Sequence, residues 1–155
     1  MRKAFFLNLL FISLLCAAAS CGWSSKQKEV LSAFNSTIQC FEDADWNSAA
    51  DMVSCSTMDF LDTIAEDLEQ QGLTEYTSGS DLLSVMYNEY INLNGNVTTI
   101  FVQGNKATVT VSSMEYTMLL EDGIWKLDLE QLCRNGLDRA FEGSYFKFVE
   151  HGDIY

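Results

Sequence analysis

Hydrophobic residues in the first half of the chain recur at the three- and four-residue spacing of amphipathic helices. The pattern predicts a helix from Ser25 to about Asp43, a short second helix, a third that stops at Gly72, and a fourth that ends at Asn94-Gly95-Asn96. The positions that define the four apolar stripes are Val30, Ala33, Phe34, Thr37, Ile38 and Phe41; Trp46, Ala49, Ala50 and Val53; Phe60, Leu61, Ile64 and Leu68; and Leu82, Leu83, Met86, Tyr87, Tyr90 and Ile91.

Short polar side chains mark where these helices start. Asp45 is placed to cap the second helix. Ser56, with Asp59 three residues later, resembles a capping box at the start of the third. Ser80 or Asp81 is expected to begin the fourth.

The second half of the chain changes to a two-residue period, which is typical of half-buried strands. A first strand covers 97–103, and Gly104-Asn105 is a hairpin turn. The next strands cover 106–112, 115–121 and 124–129, with a tight turn at Asp122-Gly123. Trp125 is expected to anchor the core. The inward-facing set is Ala107, Val109, Val111, Tyr116, Met118, Leu120, Trp125, Leu127 and Leu129.

Helices followed by a meander of strands predict an α+β fold, in which N-terminal helices pack on a curved antiparallel sheet. Residues 130–141 are expected to add a helix, and Tyr145 to Val149 a last strand or an irregular cover. No break in composition divides residues 26–155, so they are predicted to form one domain.

The first 20 residues have the order of a secretory signal. Arg2 and Lys3 precede an apolar stretch that is too short for a comfortable membrane span, and small residues follow it. Ala18-Ala19-Ser20-Cys21 resembles the lipobox of bacterial lipoproteins. That resemblance implies cleavage before Cys21, lipidation of its thiol and a short tether over 21–25. The alternatives are an ordinary signal peptide cut near Ala19 and lipidation of Cys16.

Charge adds to this picture. The chain has 22 acidic and 9 basic residues, with a net charge of -13. This balance argues against nucleic acid as a partner, because phosphate binding needs lysine and arginine. An acidic domain is also repelled by anionic head groups, so it should stand off the membrane on its tether. We expect a lipid-anchored protein of the bacterial cell envelope, on the outer membrane and facing the periplasm.

Three further cysteines follow the predicted signal. An exported protein can form disulfides, and three thiols allow one bridge and leave one free. Cys40 and Cys55 are the nearest pair in sequence. The alternative is three buried thiols that act as small apolar side chains. Both interpretations stay open, and the absence of a Cys-x-x-Cys sequence gives redox catalysis no support.

The sequences of the predicted hairpins resemble those of a known protein family. The stretch 104–111 and the sequence Asp122-Gly123-Ile124-Trp125-Lys126 resemble small lipoproteins of the nuclear-transport-factor-2-like superfamily, as does the acidic stretch 41–49. The resemblance covers about residues 26–129. It implies a cone-shaped sheet around helices, with a pocket at the open end. Many members are enzymes, many only bind ligands, and many form dimers through the sheet.

The sequence contains no recognisable catalytic set. The single histidine, His151, lies near the C-terminus, and neither a phosphate-binding loop nor a calcium loop is present. No metal or cofactor is predicted. Tyr87, Tyr90 and Tyr116 are the candidate pocket residues, and Asp59 and Asp62 are available as acids.

We therefore expect a non-catalytic domain that binds a small apolar ligand or an envelope protein. One alternative is an isomerase-like or cyclase-like enzyme with a tyrosine donor and a carboxylate base. Another is a structural subunit of an envelope assembly, including a homodimer formed through the sheet.

Overall fold

The computed structural model describes residues 22–72 and 76–140, together with the backbone but not the side chain of Ala140. The predicted signal, Cys21, the proposed last strand and His151 lie outside these residues. The elements in chain order are α1 (Ser25–Glu42), α2 (Trp46–Met52), α3 (Cys55–Gln70), α4 (Gly79–Glu89), β1 (Val97–Gln103), β2 (Lys106–Val111), β3 (Met114–Glu121), β4 (Ile124–Asp128) and α5 (Glu130–Ala140).

The helix starts confirm one predicted cap and correct two. Asp45 caps α2, and its carboxylate accepts the backbone N–H of Ser48 at 3.2 Å. The cap of α3 is Ser54 rather than Ser56, because the Ser54 hydroxyl accepts the backbone N–H of Thr57. Ser78, rather than Ser80 or Asp81, caps α4. Sequence spacing alone leaves such serines equivalent, and tertiary contacts select among them.

The four strands form one antiparallel sheet in the order β1-β2-β3-β4, which confirms the predicted meander and the α+β class. The last hairpin turns at Asp122 and Gly123, whose φ values are +50° and +83°. Two successive left-handed residues match the right-handed twist of the flanking strands. Alternate strand residues are buried, as the two-residue period predicts; Ile100, Ala107, Val109, Val111, Tyr116, Met118, Trp125 and Leu127 face the helices.

The helices cover one face of the sheet. Helix α1 packs on β1 and β4, α2 packs on β4, and α3 packs against α4 and α5. Gln27 in the first turn of α1 also donates from its side-chain nitrogen to the backbone oxygen of Ile100 at 2.7 Å, which ties α1 to β1. The buried side chains, including Phe34, Leu61 and Leu83, belong to one hydrophobic core.

A buried polar network joins the helical half to the sheet. The hydroxyls of Ser54 and Thr57 lie 2.8 Å apart, and each lies 3.3 Å from the Asp128 carboxylate. The Thr57 hydroxyl accepts the backbone N–H of Leu129 at 2.9 Å. The backbone N–H of Ser54 donates to the oxygen of Leu127 at 2.9 Å. The start of α3 is thus bonded directly to the end of β4.

None of the helices within residues 22–72 and 76–140 combines the length and apolar character needed to cross a bilayer.

Candidate functional site

A groove opens where α4 ends and the chain turns toward β1. Its volume is about 400 Å³, which falls within the range of small-ligand sites. We call it the α4 groove. It is lined by Tyr87, Asn88, Glu89, Tyr90, Ile91, Asn92 and Asn94. Its exposed lining is mainly polar.

The backbone forms the groove because α4 stops at Tyr90. The N–H groups of Tyr90 and Ile91 both donate to the oxygen of Met86, at 2.8 and 3.0 Å, which closes the last turn. The chain then leaves the helix, with Ile91 and Leu93 buried and Asn92 and Asn94 exposed, and the Asn92 side-chain oxygen accepts the backbone N–H of Asn94 at 3.0 Å. The two apolar side chains fasten the segment to the core, so the amide side chains point outward.

Tyr116 supports the groove from behind. Its ring is buried, with the centroid 6.0 Å from that of Phe34, and its hydroxyl donates to the backbone oxygen of Asn92. Burial raises the pKa of Tyr116, so the hydroxyl keeps its proton at neutral pH. Tyr116 does not line the groove; it holds the backbone that does.

Tyr87 joins the groove to a cluster of aromatic side chains. Its ring centroid lies 4.8 Å from that of Phe41 and 6.0 Å from that of Trp46. Burial raises the pKa of Tyr87, and the negative charge of Glu42 adds a smaller contribution in the same direction. The cluster fixes Tyr87 at one wall of the groove.

Tyr90 is positioned by a glycine on the neighbouring helix. A Cβ atom added to Gly136 of α5 would lie 3.0 Å from Cγ of Tyr90 and 3.2 Å from Sδ of Met86. Contact this close requires a small residue, so Gly136 allows the Tyr90 ring to lie against α5. Of the three tyrosines predicted to line a pocket, the structure places Tyr87 and Tyr90 in one groove and Tyr116 beneath it.

The three cysteines within the described residues are not joined to one another. Cys40 and Cys55, the predicted disulfide pair, are free thiols, as is Cys133. Cys40 is half-buried against the core, whereas Cys55 is exposed at the start of α3. There, the backbone N–H of Cys55 donates to the carboxylate of Glu121, which also raises the pKa of the Cys55 thiol. The alternative of three buried thiols therefore holds for Cys133, whereas Cys40 is half-buried and Cys55 is exposed.

The candidate acids serve the helices rather than the groove. The Asp62 carboxylate accepts the backbone N–H of Gly79, the first residue of α4, at 2.6 Å, where a negative charge is favoured by the helix dipole. Asp59 lies on the exposed face of α3. In the part of the chain that the structure describes, no histidine, cysteine and carboxylate side chains are grouped closely enough to hold a metal ion.

Sequence reasoning missed Asn88, Glu89, Asn92 and Asn94. The alternation of Ile91-Asn92-Leu93-Asn94 is the signal that indicates them, since it predicts an extended segment with its amides exposed. The helical spacing instead predicts that this stretch is the end of the fourth helix, because Ile91 also continues the helical stripe.

Comparison with protein-family models, with curated proteins and with solved structures finds no match for this chain.

Proposed function

We propose that this protein is a lipid-anchored component of the bacterial cell envelope whose domain binds a small ligand in the α4 groove without chemically changing it. The observation that carries the binding proposal is the groove itself, about 400 Å³ of open space lined by two tyrosines, three asparagines, one glutamate and one isoleucine. The mainly polar lining favours a ligand with hydrogen-bonding groups over the apolar ligand expected from the sequence.

Tyr116 and Asp62 are excluded as a catalytic pair by the hydrogen bonds that their polar groups already make. An isomerase-like site needs a tyrosine hydroxyl and a carboxylate free to face the same substrate atom. The hydroxyl of Tyr116 is bonded to Asn92, and Asp62 is bonded to Gly79. Both groups are therefore occupied in supporting the fold.

A relation to the nuclear-transport-factor-2-like superfamily remains part of the proposal. The order of helices before an antiparallel meander supports it. So does the hairpin at Asp122-Gly123, which places Trp125 in the core. The α4 groove, however, lies at the end of a helix rather than within the sheet.

The membrane anchor is supported by the sequence around Cys21 and is tested by mass spectrometry of the protein extracted from membranes. Lipidation adds acyl mass to the peptide that begins at Cys21. Cys21→Ser should release the protein from the membrane fraction, whereas the matched variant Cys16→Ser should remain there. Anchoring through Cys21 is wrong if Cys21→Ser still partitions with membranes.

Ligand binding is tested by thermal unfolding in the presence of monosaccharides, amino acids, fatty acids and alkylamines. A compound that binds only the folded state raises the melting temperature. Asn88→Trp places a large side chain in the groove and should abolish every such shift. Gln70→Trp makes the same change at the exposed end of α3 and should preserve them. If no class stabilises the protein, or if Asn88→Trp leaves the shifts intact, the groove is not the binding site.

A further inference from the structure

The end of α4 presents negative charge to the groove. The last carbonyl groups of a helix have no partner within the helix and carry the negative end of its dipole. The last turn of α4 contains no basic side chain to offset them. Glu89, in that turn, adds a full negative charge to the lining. A cation placed here is stabilised by both.

No positive charge competes for the same position within the lining. Lysine, arginine and histidine are absent from the described residues that line the groove. The sequence extends this pattern, since residues 29–105 contain 13 acidic residues and no lysine, arginine or histidine. A negative field of this kind raises the local concentration of cations and repels anions.

The remaining lining groups suit an organic cation rather than a metal ion. The faces of tyrosine rings attract ammonium groups, and Tyr87 and Tyr90 are both partly exposed at the groove. Asparagine side-chain oxygens accept hydrogen bonds from N–H donors, and those of Asn88 and Asn94 remain for a ligand because that of Asn92 already accepts the backbone N–H of Asn94 at 3.0 Å. A primary ammonium group has three N–H donors, which can bond to these acceptors, and its alkyl stem can pack on the adjacent tyrosine rings.

We propose that the α4 groove binds a small primary alkylamine in its ammonium form. The ammonium group lies between Glu89 and the last carbonyls of α4, and the alkyl stem lies along the tyrosines. This inference rests on the proposed binding function and adds to it the chemical class of the ligand.

The test compares three probes of equal length by isothermal titration calorimetry with the purified protein at about 0.15 M salt, which screens non-specific attraction. The probes are 1,5-diaminopentane, which is cationic, 1,5-pentanediol, which is neutral, and glutarate, which is anionic. We expect binding of the diamine and no measurable binding of the other two.

Two variants separate a local contact from the general charge of the protein. Glu89→Gln should weaken diamine binding about five-fold, the upper end of the effect expected of one exposed charge. Glu115→Gln removes the same charge at an exposed position on β3 and should leave the affinity unchanged. Circular dichroism checks that both variants keep the fold.

The outcomes separate this inference from the proposed function. Equal weakening by Glu89→Gln and Glu115→Gln, equal binding of diol and diamine, or no binding of the diamine would each overturn the ammonium site. The binding function itself is judged by the thermal shifts and their loss in Asn88→Trp. A saccharide that binds only when Asn88 is intact would therefore keep the function and replace the ligand class.

Discussion

Replacing Thr57 with valine removes one buried hydroxyl while nearly preserving shape. The Leu129 N–H then loses its acceptor, and the Ser54 hydroxyl loses a partner at 2.8 Å. A buried donor left without a partner costs about 1–3 kcal/mol, and an ordinary hydrogen bond contributes about 1 kcal/mol. Because Thr57 is fully buried, water cannot replace these bonds without a local opening. We expect Thr57→Val to lower the free energy of unfolding by about 2–4 kcal/mol.

The assay is urea unfolding followed by far-ultraviolet circular dichroism and by tryptophan fluorescence. Thr63→Val is the matched control, because Thr63 is exposed on the same helix and bonds only to the backbone oxygen of Asp59. We expect the control to change stability by less than about 0.5 kcal/mol. Thr57→Ser keeps the hydroxyl and should lose about 1 kcal/mol through the missing methyl group. If Thr57→Val is as stable as the control, the network does not join α3 to β4.

Three further perturbations have defined outcomes. Burial raises the pKa of the Cys133 thiol from 9.0 to about 12, so between these pH values only the unfolded thiol ionises. The free energy of unfolding should therefore fall as the pH rises through this range. Urea titrations at several pH values should show a less steep fall for Cys133→Ala. Tyr116→Phe should lower the free energy of unfolding by about 1 kcal/mol and speed amide hydrogen exchange over residues 92–94. Unchanged exchange would show that Tyr116 does not support this segment. Gly95→Ala should lower the melting temperature, because φ of Gly95 is +138° and the new Cβ would lie 2.5 Å from Oγ of Ser112. The control Gly22→Ala should leave the melting temperature unchanged, because Gly22 has open space around it.

Much of the fold follows from local pattern, because burial of one face imposes a period on the sequence. The stripe through Val30, Phe34, Thr37 and Phe41 predicts the buried face of α1, and all four residues are buried. The alternation at Ala107, Val109 and Val111 predicts the inner face of β2 in the same way. Helix starts were less predictable. Ser54 is selected over Ser56 by its bonds to Asp128 and Leu127, which lie more than 70 residues away.

The site was predictable only in part, for a physical reason. Tyr87 and Tyr90 stand out in a sequence because aromatic side chains are large. Asn88 and Glu89 lie between the two tyrosines, and Asn92 and Asn94 follow them. These are polar residues of the kind that occurs in any exposed loop. They are brought together by the closing of the last turn of α4 on the Met86 oxygen, the burial of Ile91 and Leu93 in the core, and the approach of Gly136 to Tyr90. These contacts join distant segments, so no local period encodes them.

The most direct test of the central claim is a titration of the ¹⁵N-labelled protein with 1,5-diaminopentane, followed through its backbone amide chemical shifts. We expect saturable shifts concentrated on residues 88–94, with smaller changes where Tyr116 and Gly136 contact this segment. Shifts spread over the acidic surface in proportion to charge, or centred on the exposed face of the sheet, would contradict it.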